Sequence, residues 1–417
     1  MRYSYCCCCA IIVLILLVVG RAQLPADKLG PPSYAFVNGL WFDGKSFKPS
    51  TVYAVDGRFT FRKPTRVDRT LDLKGAYVIP PFAEAHNHNL ITGSLVTEMV
   101  PRYLNEGVFY AKMQSSLPHF NGQILHRLNR HDSVDVVFAN GPLTATGGHP
   151  VALRERLLER GVYPGFTKET LNNQGYVLID SEPDLENKWA MILSFRPDFI
   201  KAVLVNSEDY RRRKDDPAYF GQKGLDPQLL PKIVAKSHSH GLRVSVHVNT
   251  ATDFHHAVMA GADEVAHLPG SHSPTYIKPE DAKLAAEKGI VVVTTVSLAL
   301  RRKQQSELYE KIRAAQIANL ELLHKSGVKI AVGSDDVEQT SLGEMEYLKE
   351  LGMFDSLTLI KMWTENTVKT IFPTRKVGAL REGYEASFVA LEGNPLKDFE
   401  NIRKIKFRLK QGYLFER

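Results

Sequence analysis

The middle of the chain alternates short apolar runs with amphipathic stretches of helical period. This alternation is typical of parallel strands joined by crossover helices. Eight of the apolar runs are predicted to be strands, at residues 77–79, 108–111, 134–139, 199–203, 243–246, 264–266, 290–294 and 329–332. The pattern therefore predicts an α/β fold, a (β/α)8 TIM barrel, in which functional groups lie at the carboxyl ends of the strands and in the loops after them.

The main alternative is an open, doubly wound sheet. That architecture normally places a glycine-rich nucleotide loop after its first strand. No such loop follows Ile79, so the barrel is favoured. The stretch at 141–195 is long for a connection between two strands, and we expect it to supply helices and an active-site loop.

Both ends of the chain carry short alternating runs separated by turn signals. Near the N-terminus these signals are Asn38-Gly39, Asp43-Gly44 and Asp56-Gly57, which are typical of β-hairpins. Similar runs return at 387–391, 404–409 and 412–415. The sequence thus predicts one satellite β domain assembled from residues 23–80 and 373–417, around a barrel domain at 81–372.

Residues 1–22 have the composition of a secretory signal peptide. Arg2 precedes an apolar core at 10–19, and the small residues Gly20 and Ala22 stand before a cleavage point. The core is shorter than the roughly 20 residues needed to cross a membrane, and retention as an anchor is the alternative. A lipid-modified cysteine would follow such a core, whereas Cys6 to Cys9 precede it. We therefore expect a secreted or periplasmic protein with no stable membrane span after signal cleavage.

Composition limits the chemistry of the mature chain. All four cysteines lie within residues 1–22, so thiolate ligands and disulfides are excluded after cleavage. Any metal would be bound by His, Asp, Glu or a modified Lys. The formal charge is +7 for the whole chain, and removal of Arg2 and Arg21 leaves +5. This excess is small, and no basic patch is interleaved with aromatic residues, which argues against a nucleic-acid partner.

Metal-capable side chains lie at the ends of five predicted strands. His86 and His88 follow the first strand at alternate positions, so both rings point the same way in an extended chain. The other candidates, near the ends of the fourth, fifth, sixth and eighth strands, are Lys201, His247, His267 and Asp335. One histidine at a strand end is usually structural. Five strands that supply such groups to one end of a barrel predict a metal site.

With these residues the chain resembles the amidohydrolase superfamily, and within it the imidazolonepropionase-like and Xaa-Pro-dipeptidase-like branch. Motifs that look like the family's β-sandwich and its connections to the barrel lie at 37–39, 56–58, 71–75, 79–82, 364–366, 377–378, 383–386 and 393–396. The satellite domain is therefore expected to be a small β-sandwich. The chain departs from the family at Leu268, where Gly often follows the strand-six histidine, and at Ser387, which replaces an acid.

The resemblance implies a binuclear metal centre. His86 and His88 would hold the buried α metal, and His247 and His267 would hold the β metal. Lys201, as an N6-carboxylate, would bridge the two ions, which are taken to be zinc. Asp335 would ligate the α metal and act as general base toward a metal-bridging hydroxide. Charge supports the modified lysine, because an ammonium group beside two dications would be strongly repelled.

The resemblance also implies an enzyme that hydrolyses a carbon–nitrogen bond. Its expected partner is a small-molecule or dipeptide substrate: an N-acyl amino acid, a dipeptide or a cyclic amide. The alternative is a mononuclear centre, with Lys201 turned away, that catalyses deamination or imidazolonepropionase-type ring opening. A binding protein without activity would lack some ligands, and all six are present. A homo-oligomer is compatible with the sequence.

The segment at 144–150 follows the third strand, would overhang the site and resembles a segment of the same branch. Its His149 is a candidate catalytic residue that donates to the substrate carbonyl or carboxylate, and it is equally a candidate for stabilising the loop. Tyr210 and Tyr219, in the loop after the fourth strand, are expected to pack within that loop. His272 lies five residues after His267 and stays ambiguous.

Overall fold

A computed structural model describes residues 30–270 and 273–415, so the expected signal peptide at 1–22 and His272 lie outside the described residues. The fold is mixed α/β. The strands in chain order are β1 (Tyr34–Phe42), β2 (Phe47–Val55), β3 (Arg58–Thr60), β4 (Arg69–Asp72), β5 (Tyr77–Ile79), β6 (Phe82–Asn87), β7 (Val108–Met113), β8 (Asp135–Phe138), β9 (Leu143–Thr144), β10 (Val177–Leu178), β11 (Ile200–Val203), β12 (Val244–His247), β13 (Glu264–Val265), β14 (Val291–Val293), β15 (Lys329–Ala331), β16 (Phe388–Leu391), β17 (Ile405–Lys410) and β18 (Tyr413–Leu414). The helices are α1 (Gly93–Asn105), α2 (Pro118–Ile124), α3 (Val151–Glu159), α4 (Lys168–Leu171), α5 (Glu182–Ser194), α6 (Tyr210–Arg213), α7 (Leu230–Ser239), α8 (Ala251–Ala260), α9 (Pro279–Glu287), α10 (Ser306–Lys325), α11 (Ser341–Glu350), α12 (Ser356–Lys361) and α13 (Thr367–Ile371).

One sheet combines strands from both ends of the described chain. Its order is β18-β17-β16-β5-β1-β2-β3, with β4 also paired to β1. Strand β1 is antiparallel to β2 but parallel to β4 and β5, so the unit is not the purely antiparallel one that the turn signals predicted. Both termini contribute strands, as the pattern predicted. A two-layer β-sandwich and the exact domain bounds stay predictions.

Two of the three predicted turns join strands. Asp56 and Gly57 both have positive φ (50° and 70°), as a tight hairpin between β2 and β3 requires, and Asp43-Gly44 lies between β1 and β2. The prediction of a turn at Asn38-Gly39 is wrong. These residues form a bulge within β1, where the register against β2 shifts, and the positive φ of Asn38 (56°) serves that bulge instead.

An aromatic cluster joins the N-terminal and C-terminal strands of this sheet. Phe388 on β16 packs edge-on against Phe36 and Trp41 of β1, at ring-centroid distances of 5.2 and 5.6 Å. Phe59 on β3 also packs edge-on against Trp41, at 5.9 Å. Such edge-to-face pairs add to the stabilisation from burial alone. The two ends of the chain therefore share one core.

The middle strands form two parallel sheets, β6-β7-β8 and β10-β9-β11-β12-β13-β14-β15. Hydrogen bonds connect the two sheets. The N–H of Ala85 in β6 donates to the carbonyl of Val332, just after β15, at 2.8 Å, and the N–H of Asp198, just before β11, donates to that of Phe138 in β8 at 2.9 Å. All residues of β6, β7, β11 and β12 are buried, as expected of parallel strands covered on both faces. These contacts are consistent with a barrel.

All eight predicted middle strands coincide with observed strands, but the assignment of the first one, at 77–79, to the barrel is wrong. Strand β5 pairs with β1 and β16, so it belongs to the terminal sheet, and β6 is the strand that pairs with β7. Pro80 and Pro81 lack an N–H and separate the two apolar runs. His86 consequently lies within a strand rather than after one. The stretch at 141–195 contains the expected helices (α3, α4 and α5) and also the short strands β9 and β10, which were not predicted.

Candidate metal centre

Three of the predicted ligands converge at the end of β6. His86 and His88 meet Asp335, which lies in the loop after β15. The Nε2 atoms of His86 and His88 lie 3.6 and 3.3 Å from Asp335 Oδ1. One ligand atom from each of the three residues falls within 4.8 Å of the other two, which makes the group a candidate metal site.

The backbone holds this group in place. Asp335 has a positive φ of 50°, and its N–H donates to the carbonyl of His86 at 2.7 Å. The buried carboxyl group of Glu84 accepts N–H bonds from His86 and from Ser334, both at 2.9 Å, and lies 2.6 Å from the Ser334 hydroxyl. Burial raises the pKa of Glu84 to about 8. Glu84 therefore ties the strand of the two histidines to the loop of the aspartate. The sequence prediction missed this role, although a Glu inside the apolar run 79–85 was a signal for it.

Carbonyl groups fix the outer nitrogens of both histidines. Nδ1 of His86 lies 2.7 Å from the carbonyl oxygen of Ala266, and Nδ1 of His88 lies 3.2 Å from that of Ser115. A carbonyl only accepts, so Nδ1 carries the proton in each ring and donates it. The Nε2 atoms of the neutral rings are then left as electron-pair donors on the side of Asp335. This is the usual arrangement of a metal-binding histidine.

The remaining predicted ligands lie beside this triad. The ring of His267, just after β13, is 4.4 Å from the ring of His86 and 4.4 Å from that of His247, which ends β12. Lys201 lies on β11, next to β12. Its Nζ is buried and has no hydrogen-bond partner among the described residues. The fold thus gathers all six candidates at one end of the parallel strands.

Burial favours the neutral forms of the basic groups. It lowers the pKa of Lys201 to about 7. It also holds the pKa of His86 and of His247 well below the usual range, and the charges of neighbouring Lys201 and His267 act in the same direction. For Asp335, burial alone would raise the pKa, but the hydrogen bond and charge of His88 outweigh it and keep that pKa well below its ordinary value. The centre therefore offers unprotonated nitrogens and one carboxylate, which are the forms that bind metals.

The loop at 144–150 reaches the same place. The ring of His149 lies 4.8 Å from that of His247, and its N–H donates to the carbonyl of Lys223 at 2.7 Å. Tyr219 packs beneath the guanidinium groups of Arg212 and Arg213, at 5.2 and 4.8 Å, as expected for a residue that packs within its own loop. For Tyr210, burial raises the pKa to about 12.

The fold and this group of side chains define a class, the α/β proteins with a candidate metal site at the carboxyl ends of parallel strands. The family follows from comparison with known proteins. Residues 216–412 match the model of the amidohydrolase family. These residues therefore form an amidohydrolase family domain, which supports the resemblance that the motifs predicted, and that family is generally metal-dependent.

Individual relatives agree with this placement. The chain is 31% identical to ochratoxinase from Aspergillus niger over 231 residues, 52% of this chain and 46% of that protein. It therefore spans about half the length of this curated relative. It is 24% identical to imidazolonepropionase from Pseudomonas putida over 302 residues, 67% and 69% of the two chains. Among solved structures, A. niger ochratoxinase is similar with a TM-score of 0.73 (20% identity, 93% and 96% covered). A Xaa-Pro dipeptidase with bound methionine in the active site has a TM-score of 0.72 (17% identity, 92% and 100% covered).

Proposed function

We propose that this protein is a metal-dependent hydrolase that cleaves the carbon–nitrogen bond of an N-acyl amino acid, a dipeptide or a cyclic amide. The convergence of His86, His88 and Asp335, with the other three candidates beside them, carries the proposal. In this proposal the strands β6, β7, β8 and β11 to β15 close into a (β/α)8 barrel. The terminal strands form the accompanying β-sandwich.

The donor set suits two divalent ions of the zinc type. His86, His88 and Asp335 would hold one ion, and His247 and His267 the other. Lys201, as an N6-carboxylate, would lie between them. A buried amine whose pKa is about 7 and that lacks a hydrogen-bond partner is suited to this modification, because it is partly unprotonated at neutral pH. When bound, such ions make hydroxide available near neutral pH and withdraw electrons from a carbonyl group.

The chain's own groups then move protons and orient the substrate. Asp335 is ionised at neutral pH, so its carboxylate accepts the proton of the attacking water and returns it to the leaving nitrogen. Glu84 keeps Asp335 facing the histidine pair through its bonds to Ser334 and His86. His149, whose ring packs beside that of His247, donates to the carbonyl oxygen of the substrate.

Metal analysis and a matched pair of variants test the proposal. We expect protein produced with zinc and bicarbonate to hold two ions per chain and to hydrolyse members of a library of dipeptides and N-acyl amino acids. Asp335→Asn should keep metal but lose at least about 100-fold in kcat, the usual scale of general acid–base catalysis. The control is Asp336→Asn, because that carboxylate bonds to the N–H of Glu338 and not to the triad. Near-normal turnover by Asp335→Asn would refute the role of Asp335.

A mononuclear centre is the second candidate function. The triad of His86, His88 and Asp335 is complete without Lys201, and imidazolonepropionase is among the relatives. One ion per chain, no added carboxyl mass on Lys201, and activity on cyclic imidazolones or amines would favour ring opening or deamination.

The proposal extends to the location of the protein. We propose secretion or export to the periplasm after cleavage at residue 22, which N-terminal sequencing of the exported protein would test. Within residues 30–270 and 273–415, no helix combines the length and apolar character needed to cross a bilayer.

A further inference from the structure

Five cationic side chains are buried among the described residues, and they differ in whether an acid pairs with them. These side chains are Lys112, Arg154, Lys201, Lys223 and Lys410. A buried Lys or Arg is normally paired with an acid, because an isolated charge in a low-dielectric interior is costly. Lys112 bonds to Glu264 at 2.9 Å and Lys410 to Asp135 at 2.5 Å. Between residues 30 and 415, leaving aside 271–272, no carboxylate lies within ion-pair distance of Arg154, Lys201 or Lys223.

Arg154 is connected to the metal triad through a single residue, Ser115. It belongs to α3, which begins two residues after His149, and only 5% of its surface is exposed. Its two terminal nitrogens donate to the hydroxyls of Tyr163 and Ser115, and its Nε has no partner among the described residues. The carbonyl of the same Ser115 accepts the Nδ1 proton of His88. A full positive charge is thus buried next to the centre with only neutral partners.

Lys223 also contacts the His149 loop. Its carbonyl accepts the N–H of His149 at 2.7 Å, and a Cβ placed on Gly147 would lie 3.4 Å from its Cε. Its Nζ donates to the carbonyl of Lys214, which leaves donor capacity unused. The hydroxyl of Thr144, at the start of the loop, is buried without a partner in the described structure. Two buried cations without an acidic partner among the described residues therefore lie close to the loop that carries His149.

This charge balance points to an anionic ligand. Divalent ions would add further positive charge close to Arg154. A substrate that brings a carboxylate would supply the missing counter-ion, and a guanidinium group matches the planar fork of a carboxylate. Among the substrates proposed above, N-acyl amino acids and dipeptides carry a free α-carboxylate, whereas a neutral cyclic amide does not.

We propose that Arg154 and Lys223 form the carboxylate subsite of this protein, which rests on the proposed function and narrows its substrates to N-acyl amino acids or dipeptides with a free C-terminal carboxylate. The two cations determine specificity by binding a part of the substrate that does not react. The loop at 144–150, which leads into the helix of Arg154 and contacts Lys223, then places His149 beside the bond to be cleaved.

Paired substrates test the subsite. The zinc-loaded protein is assayed with a panel of N-acetyl-L-amino acids, each matched with its uncharged carboxamide. We expect the wild type to prefer the acids. Arg154→Met should lower kcat/KM for the acids by about 10- to 100-fold, the scale of a lost hydrogen bond to a charged group, and leave the carboxamides nearly unchanged. Lys223→Met should also lower the ratio of kcat/KM for the acid to kcat/KM for its carboxamide. Arg154→Lys should retain part of the preference for the acid. The control is Arg156→Met, because Arg156 is exposed on the same helix.

The acid-to-carboxamide ratio separates binding from structure. Equal losses on acids and carboxamides in Arg154→Met would mean that this residue acts only through Ser115 and His88, and would overturn the proposal. A wild type without acid preference would overturn it as well.

Binding measurements keep the result independent of hydrolysis. Isothermal titration of zinc-loaded Asp335→Asn with N-acetyl-L-leucine and its carboxamide should show tighter binding of the acid, and adding Arg154→Met should abolish the difference. Such a result without turnover in the wild type would contradict the proposed hydrolysis and still support the subsite. Equal affinities, or no binding of the acid, would refute the subsite.

Discussion

Asp253 clamps two loops of the candidate centre. Its buried carboxylate accepts backbone N–H bonds from Asn206 and Ser207, after β11, and from Asn249 and Thr250, after β12. The four distances lie between 2.7 and 3.0 Å. Strands β11 and β12 carry two of the candidate ligands, so one side chain sets the relative position of both. Replacing Asp253 with Asn tests this clamp with almost no change of shape.

The cost of Asp253→Asn can be worked out bond by bond. Three of the N–H groups bond to Oδ2 and only that of Ser207 bonds to Oδ1. The amide would therefore turn its oxygen toward the three and leave its NH2 facing Ser207. One unpaired buried donor costs about 1–3 kcal/mol, and loss of charge assistance in the other three bonds costs roughly 1 kcal/mol each. The expected loss is about 4–6 kcal/mol, a large share of the stability of a typical fold.

Urea unfolding of the metal-free protein, followed by circular dichroism, measures this loss. Asp215→Asn is the control, because the side chain of Asp215 is 85% exposed and the same chemical change there should stay within about 0.5 kcal/mol. A loss below about 1 kcal/mol in Asp253→Asn, with an unchanged dependence on urea, would show that the carboxylate does not hold the two loops.

Two further predictions concern buried charge. Burial alone would raise the pKa of Glu264, but Lys112 and Arg243 outweigh it and lower that pKa to about 2. An acid with a lowered pKa stabilises the fold above its unfolded value of 4.5, and this stabilisation is lost as the pH falls toward 2. The free energy of unfolding of the wild type should therefore fall by up to about 3 kcal/mol between pH 4.5 and pH 2. The urea midpoint of Glu264→Gln should change less over the same range. Equal changes of the midpoint with pH in the two proteins would contradict this prediction. Lys201→Met should bind one zinc ion fewer per chain by elemental analysis. Two ions per chain in the variant would refute the role of Lys201, and one ion per chain in both proteins would indicate a mononuclear centre.

Apolar periodicity was sufficient to locate most strands, because parallel strands covered on both faces are continuous apolar runs. It could not decide which sheet a run joins. Strands β5 and β6 are both apolar and lie on either side of Pro80-Pro81, so the sequence alone did not place β5 in the terminal sheet. Strands β9 and β10 have only two residues each, too few to show any period.

The candidate ligands were predictable because metal-binding residue types at strand ends are uncommon in ordinary packing. The residues that position them were not. Glu84 contacts Ser334, which lies 250 residues further along the chain, and Asp253 contacts the loop 46 and 47 residues before it. Arg154 stands out only when burial and the absence of an acidic partner among the described residues are both known. Such roles depend on tertiary contacts that no local pattern encodes.

The position of β5 has a consequence for biosynthesis. This strand lies between β1, which is made shortly before it, and β16, which is made only after all of the middle strands. A nascent chain therefore carries an open strand edge throughout translation of the central region, and open edges invite pairing with other chains. Stalled or slowed translation before Phe388 should promote aggregation, and a chaperone that shields β5 until β16 arrives should suppress it.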